Sequence, residues 1–227
     1  MPVYHLIKES VFPHPSVAEA DGLLAFGGDL SPERLISAYS QGIFPWYSEG
    51  QPILWWSPDP RMVLFPEKFR RHKNLRRVVE QQKFEVRFDH DFSRVIELCS
   101  RVPRKGQFDT WITDDMKKAY INLHRLGYCH SVETYYNGEL AGGLYGVSLG
   151  GTFFGESMFH LVSDASKVAL WHLVDFCIAH DFDIIDVQQE TPHLQSLGAT
   201  SLSRKYFLIL LEQSMKKPTL KGRWRLD

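Results

Sequence analysis

The chain has 227 residues, 44% of them hydrophobic, with 26 basic and 27 acidic side chains, the composition of a globular protein of one large or two small domains. No stretch reaches the roughly 18 to 20 uninterrupted apolar residues of a membrane-spanning helix, and Met1-Pro2-Val3-Tyr4-His5 lacks a signal peptide's basic and apolar regions. Three widely spaced cysteines (Cys99, Cys129 and Cys177) with no CxxC argue against a disulfide framework or zinc ribbon, so a cytoplasmic protein with buried or incidental thiols is expected.

The formal charge of −1 conceals strong segregation. Residues 1–60 hold 2 basic and 7 acidic side chains. In this acidic part Ser31-Pro32-Glu33 pairs a capping serine with a first-turn proline, and Gly42 follows the last turn, predicting a helix over about 32–40. From Gln41 to Glu67, prolines at 45, 52, 58, 60 and 66 alternate with Phe44, Trp46, Tyr47, Trp55, Trp56 and Phe65. Such a density suits neither a helix nor a long strand and predicts irregular, ordered chain.

Residues 61–105 reverse the sign, with 13 basic and 6 acidic side chains. Helices are predicted over about 72–82 and, capped by Asp91, over 92–100, with Phe84-Glu85-Val86-Arg87-Phe88 alternating as a strand between them. Residues 106–203 return to 4 basic against 12 acidic. Thr113 caps a helix that carries Met116, Tyr120, Leu123 and Leu126 on one face and stops at Gly127. The period then becomes two: 132–136, the Asn137-Gly138 turn, 139–147, a turn at 149–151 and 152–159 form a three-stranded antiparallel meander. A long helix over about 164–180, the strand 184–188, a helical turn near 193–197 and a Ser203-capped helix to Gln213 follow. The tail, 204–226, is basic again, with 7 cations against 1 acid. This order predicts an α+β fold, one mixed sheet flanked by helices behind a small N-terminal domain of residues 1–60, with 61–227 as the main domain and a basic helix near 68–82 within it.

Several positions carry candidate chemistry. Asp186 and Gln188 lie two apart on an otherwise apolar strand, so both leave one face while Ile185 and Val187 face the other. They are either a strand end with ordinary hydrogen bonds or groups that do general-base or positioning work on a substrate amine or hydroxyl. Gly155-Glu156-Ser157-Met158-Phe159 misses the GxSxG nucleophile elbow at its last position and lacks its turn, which disfavours a serine nucleophile. Glu156, among Phe153, Phe154, Met158 and Phe159, is either a solvent-facing strand residue or a buried carboxylate that requires partners. Glycines 142, 143 and 146 precede no Lys-Ser/Thr, so they read as small residues that let another element approach the sheet. The ten histidines contain no HExxH, and no metal site is expected. Lys68, Arg70, Arg71, Lys73, Arg76 and Arg77 stand against Glu67 alone, with Lys73, Arg76 and Arg77 on one helical face. The run is a solvated face or a patch that tracks phosphates, with the tryptophan-rich segment upstream available for stacking on bases.

The strings Phe44-Pro45-Trp46, Trp55-Trp56-Ser57-Pro58-Asp59-Pro60-Arg61, Thr110-Trp111-Ile112-Thr113, Gly155-Glu156-Ser157-Met158-Phe159, Ala165-Ser166-Lys167, Asp186-x-Gln188 and Ser196-Leu197-Gly198-Ala199, in this order over nearly the whole chain, resemble the bacterial leucyl/phenylalanyl-tRNA-protein transferase family. The resemblance implies a GNAT-like catalytic domain that takes aminoacyl-tRNA as co-substrate, no cofactor, and a monomer. It also implies transfer of leucine or phenylalanine, less readily methionine, to the α-amino group of proteins beginning with Lys or Arg, an N-end rule degradation signal. On this resemblance Gln188 contacts the acceptor amine, Asp186 polarises it, and Glu156 binds the donor's amino group or its surroundings. Leu144, Phe153, Met158, Leu170, Leu173, Cys177 and Ile185 line the donor side-chain pocket, Trp46 and Trp111 sit at the terminal adenosine, and the 68–77 cations hold tRNA. A GNAT acetyltransferase and a non-catalytic RNA-binding protein are the competing readings; the first lacks the acetyl-CoA pyrophosphate loop before Asp164.

Overall fold

The structure, a computed structural model, describes residues 3–7, 11–102 and 111–225. Expectations touching Met1, Pro2, Arg104, Lys105, Thr110, Leu226 and Asp227 lie outside them. Eleven strands and seven α-helices follow in chain order among the described residues. A small sheet is built from β1 (Tyr4–Leu6), β2 (Leu23–Gly27), β3 (Phe44–Pro45) and β4 (Leu54–Trp56), in the order β1-β2-β4-β3, with α1 (Pro32–Ser40) between β2 and β3. The large sheet has the order β11-β5-β10-β9-β8-β7-β6, from β5 (Arg61–Leu64), β6 (Glu85–Phe88), β7 (Cys129–Tyr136), β8 (Glu139–Leu149), β9 (Thr152–His160), β10 (Ile184–Gln188) and β11 (Thr200–Leu202). All its pairs are antiparallel except β9 with β10. This is the mixed sheet flanked by helices that the sequence predicts.

One face is covered by α3 (Phe92–Arg101), α4 (Asp114–Arg125) and α1, the other by α5 (Ala165–Ala179) and α2 (Lys73–Glu80), with α6 (Pro192–Ser196) and α7 (Arg204–Ser214) completing the chain. The predicted caps are in place: Ser31, Asp91, Thr113 and Ser203 accept from the backbone N–H three residues on. Each satisfies one of the donors that a helix start leaves unpaired. The small sheet has no core of its own: Tyr39, Phe44 and Trp55 belong to one apolar cluster with Tyr120, Phe154 and Phe207 of the main domain. Leu144, Phe153, Leu170, Leu173 and Cys177 belong to a second cluster on the opposite face.

Two expectations need correction. The proline-rich stretch 41–67 is not wholly irregular: β3, β4 and β5 lie within it, β4 and β5 short enough to fit between prolines and β3 ending on one. Pro45 is tolerated because β3 is the outer strand of its sheet, where a missing N–H costs no ladder bond. The basic helix expected near 68–82 begins only at Lys73. Lys68 ends a 3₁₀ turn over Pro66–Lys68. Arg70 then donates its backbone N–H to Leu197 O at 2.9 Å and Phe69 is buried, so Arg70 and Arg71 lie ahead of the helix rather than on it. The strands β1, β2 and β11 leave no mark in the periodicity, being three to five residues long with partners remote in sequence.

The meander glycines serve close approach as expected. A Cβ on Gly142 would stand 2.6 Å from Ala165 Cβ and 3.0 Å from Ser166 N, at the start of α5. Because packed interiors yield little, we expect Gly142→Val to push α5 off the sheet and lower stability by about 1 to 3 kcal/mol, measured as a fall in the urea-unfolding midpoint.

Candidate active site

The site is created where the sheet stops pairing. The parallel register of β9 and β10 runs from Thr152 opposite Ile184 to Phe154 opposite Asp186 and ends there. Beyond that point β9 continues against β8 alone, while β10 slips by one residue against β5, pairing Asp186 with Val63 but Gln188 with Met62. The extra residue, Val187, is a bulge, and Gln188 sits in the left-handed region at φ 65°. In β9 the register against β8 slips as well, Gly155 pairing with Gly146 but Ser157 with Tyr145, so Glu156 is the extra residue of a second bulge. Across the opening, Gln188 Nε2 donates to Glu156 Oε1 at 2.8 Å.

Glu156 is buried, not solvent-facing. Besides Gln188 it has Tyr39 Oη of α1 at 2.7 Å and Tyr120 Oη of α4 at 3.1 Å as hydrogen-bond partners, and the two hydroxyls lie within hydrogen-bonding distance of each other, so two hydroxyl protons are shared around the triangle. Burial drives its pKa from the usual 4.5 up to about 7, against the pull of three hydrogen bonds that favour the ionised form. Burial likewise raises both tyrosines well above their ordinary value, so they remain protonated donors. The carboxyl thus sits near half-ionisation at neutral pH, held by donors from three parts of the chain.

Asp186 is placed differently. Its side chain is fully buried and bound to Arg61, whose Nε donates to Oδ1 at 2.9 Å and Nη2 to Oδ2 at 2.7 Å. The Arg61 guanidinium lies 4.7 Å from the Phe44 ring and 4.7 Å from the Phe207 ring. Asp186 Oδ1 also accepts the Gln188 backbone N–H at 3.0 Å. It does not reach the cleft wall.

That cleft, of about 800 Å³, opens between β9 and β10, within the range of small-molecule sites. Leu144, Phe153, Met158, Leu170, Leu173 and Ile185 form an apolar part of the wall, Glu156 and Gln188 belong to its polar part together with residues such as Ser157, Asp164 and Lys167, and half-buried Trp46 and Trp111 line it as well. Cys177 does not line it: it follows Leu170 and Leu173 on the same face of α5 but is fully buried in the core behind them, and burial raises its thiol pKa. Gly155 to Phe159 runs inside β9 with no turn, so the geometry of a nucleophile elbow is absent.

The basic run lies beside the cleft. The Arg70 N–H bond to Leu197 O and the 2.7 Å bond from His72 Nε2 to Ser196 O staple it to the end of α6, and the preceding Thr191, His193 and Leu194 line the cleft. Lys68, Arg70, Lys73, Arg76 and Arg77 are exposed. Arg71 is occupied internally, with Nη2 2.5 Å from Asp175 Oδ1 and the guanidinium 5.1 Å from the Trp171 ring. Sequence reasoning missed Arg61, Tyr39 and Tyr120. For Arg61 a signal existed, since a cation opening the apolar run Arg61-Met62-Val63-Leu64 needs a buried acid. For the tyrosines there was none, because both read as apolar helix faces.

The leucyl/phenylalanyl-tRNA protein transferase family model matches residues 63–212, and the model of that family's N-terminal domain matches residues 28–59. The chain belongs to the leucyl/phenylalanyl-tRNA-protein transferase family. A protein of that name from Desulfatibacillum aliphaticivorans is 55% identical over 227 residues, which is 100% of this chain and 97% of the relative. One from Syntrophobacter fumaroxidans is 56% identical over 95% of this chain and 92% of its own length. Another, from Myxococcus xanthus, is 53% identical over 99% and 97%. As a leucyl/phenylalanyl-tRNA-protein transferase family member the chain is an aminoacyltransferase, and the cleft is its candidate active site.

The raised pKa of Glu156 links protonation to stability. The folded state holds this proton to about pH 7 whereas the unfolded chain releases it near 4.5. The contribution is therefore fully present below 4.5 and lost as pH rises through 7. We expect the stability of the wild type relative to Glu156→Gln to be greater at pH 5 than at pH 8, read from urea-unfolding midpoints. An equal difference at both values would show an ordinary glutamate.

Proposed function

We propose that this chain transfers leucine or phenylalanine, and less readily methionine, from aminoacyl-tRNA to the α-amino group of cytoplasmic proteins that begin with Lys or Arg, making an N-end rule degradation signal. The observation that carries this reading is the cleft with an apolar wall onto which the hydrogen-bonded Glu156–Gln188 pair faces, next to an exposed basic segment stapled to α6. The donor side chain fits among Leu144, Phe153, Met158, Leu170, Leu173 and Ile185, the terminal adenosine at Trp46 and Trp111, and the phosphates along Lys68, Arg70, Lys73, Arg76 and Arg77. A pocket of this kind discriminates by about 1 to 3 kcal/mol per missing methylene, and β-branched side chains are excluded by shape.

An aminoacyl ester is already activated, and an N-terminal amine with a reference pKa of about 7.7 to 8.0 is partly neutral at pH 7. The chemistry therefore asks for positioning more than for a strong base. Gln188 commits Nε2 to Glu156, which leaves its Oε1 to accept from the incoming amine and aim the nitrogen lone pair at the ester carbonyl. Attack forms the new C–N bond. Collapse breaks the ester C–O bond, and the amine's proton leaves with the ribose hydroxyl of the tRNA, with no acyl-enzyme. Glu156, near half-ionisation, holds Gln188 in orientation and lies beside the donor's amino group.

Labelled leucine should move from Leu-tRNA to a peptide beginning with Lys or Arg and not to one beginning with Ala; absence of transfer would sink the proposal. Gln188→Ala should lower kcat by about 100-fold, the scale set by removing a group that orients a reactant. Arg76→Ala with Arg77→Ala should weaken tRNA binding and flatten the slope of log affinity against log salt by about 1 for each phosphate no longer neutralised. Unchanged binding across the salt series would make the run a solvated face only.

A further inference from the structure

We propose that Arg61 is a positioning residue for the transfer reaction, and that Asp186 acts with it by holding the backbone of Gln188 rather than by polarising its amide. This rests on the reading that Gln188 faces the acceptor amine. Asp186 makes three hydrogen bonds, two from the Arg61 guanidinium and one from the Gln188 backbone N–H, and none with the Gln188 side chain, whose Nε2 is given to Glu156. It is fully buried behind the cleft wall and so reaches neither substrate nor the amide directly.

What Asp186 does control is backbone direction. Unbulged, β10 would place Gln188 opposite Arg61; the slip at Val187 places it opposite Met62, with Gln188 at φ 65°. Non-glycine residues keep that conformation only where their surroundings over-determine it. The Asp186 Oδ1 bond to the Gln188 N–H caps the bulge, and Arg61 fixes the carboxylate that makes the bond. Arg61 is itself set by Phe44 of the small sheet and Phe207 of α7 and by backbone pairing with Leu202. Small sheet, main sheet and C-terminal helix thus converge on the direction of one glutamine.

The test separates charge from position by steady-state kinetics with Leu-tRNA and a Lys-initiated peptide, at a temperature below the thermal midpoint of every variant. Arg61→Gln combined with Asp186→Asn removes both charges, pairs two amides and keeps Oδ1 for the Gln188 N–H. Its kcat should stay within about threefold of the wild type, whereas Arg61→Gln with Asp186→Ala should lose about 100-fold in kcat with KM for tRNA little changed. If the amide pair is as inactive as the alanine variant, the negative charge of Asp186 is required and the inference is wrong. Arg61→Lys, which keeps the ion pair but not the bidentate fork, covers the case in which the double variant does not fold. It should lower kcat by about tenfold at unchanged KM, and wild-type kcat would overturn the inference. Failure of the wild type itself to transfer leucine would refute the proposed function instead, leaving the inference nothing to act on.

Discussion

Everything distinctive about this molecule depends on two parallel strands that stop pairing at Phe154 and Asp186. A continuous sheet would have closed over the cleft and left Glu156 and Gln188 as an ordinary ladder. Parting the strands exposes an apolar interior but also strands a carboxylate among aromatic side chains, which is tolerable only if it is hydrogen-bonded. The two tyrosines and the glutamine supply those bonds. The carboxyl is held near neutral-pH titration by its own burial.

The small N-terminal sheet follows from this demand. Its share of the chain delivers Tyr39 to Glu156, Phe44 to the Arg61 guanidinium and Trp46 to the cleft, and its apolar residues merge with the main core. It is therefore a wall of the site rather than an appended module. The basic run is placed by a parallel economy: two hydrogen bonds to the end of α6 bring exposed cations to the rim of an apolar pocket.

Pairing within the chain also divides the basic residues by role. Arg71 is consumed by Asp175 and Trp171 in fastening its segment to α5, and Arg61 by Asp186 in the sheet. Arg70, Lys73, Arg76 and Arg77 remain in solvent. A run of like charge is thus not one functional unit, because a long cationic side chain contributes packing or charge according to what lies under it.

Much of this was legible in the amino-acid sequence because it is local. Helix caps at Ser31, Asp91, Thr113 and Ser203, the meander with its Asn137-Gly138 turn and the segregated charge all follow from spacing and side-chain chemistry over a few residues. Family membership followed from short strings in order. What only the tertiary structure decided is who meets whom: that Arg61 neutralises Asp186, that Tyr39 and Tyr120 converge on Glu156, that Cys177 lies behind the pocket and Arg71 under a tryptophan. The physical reason is that each is a pairing between residues remote in the chain. Periodicity specifies which face a side chain leaves, while strand register and helix docking specify what stands opposite it.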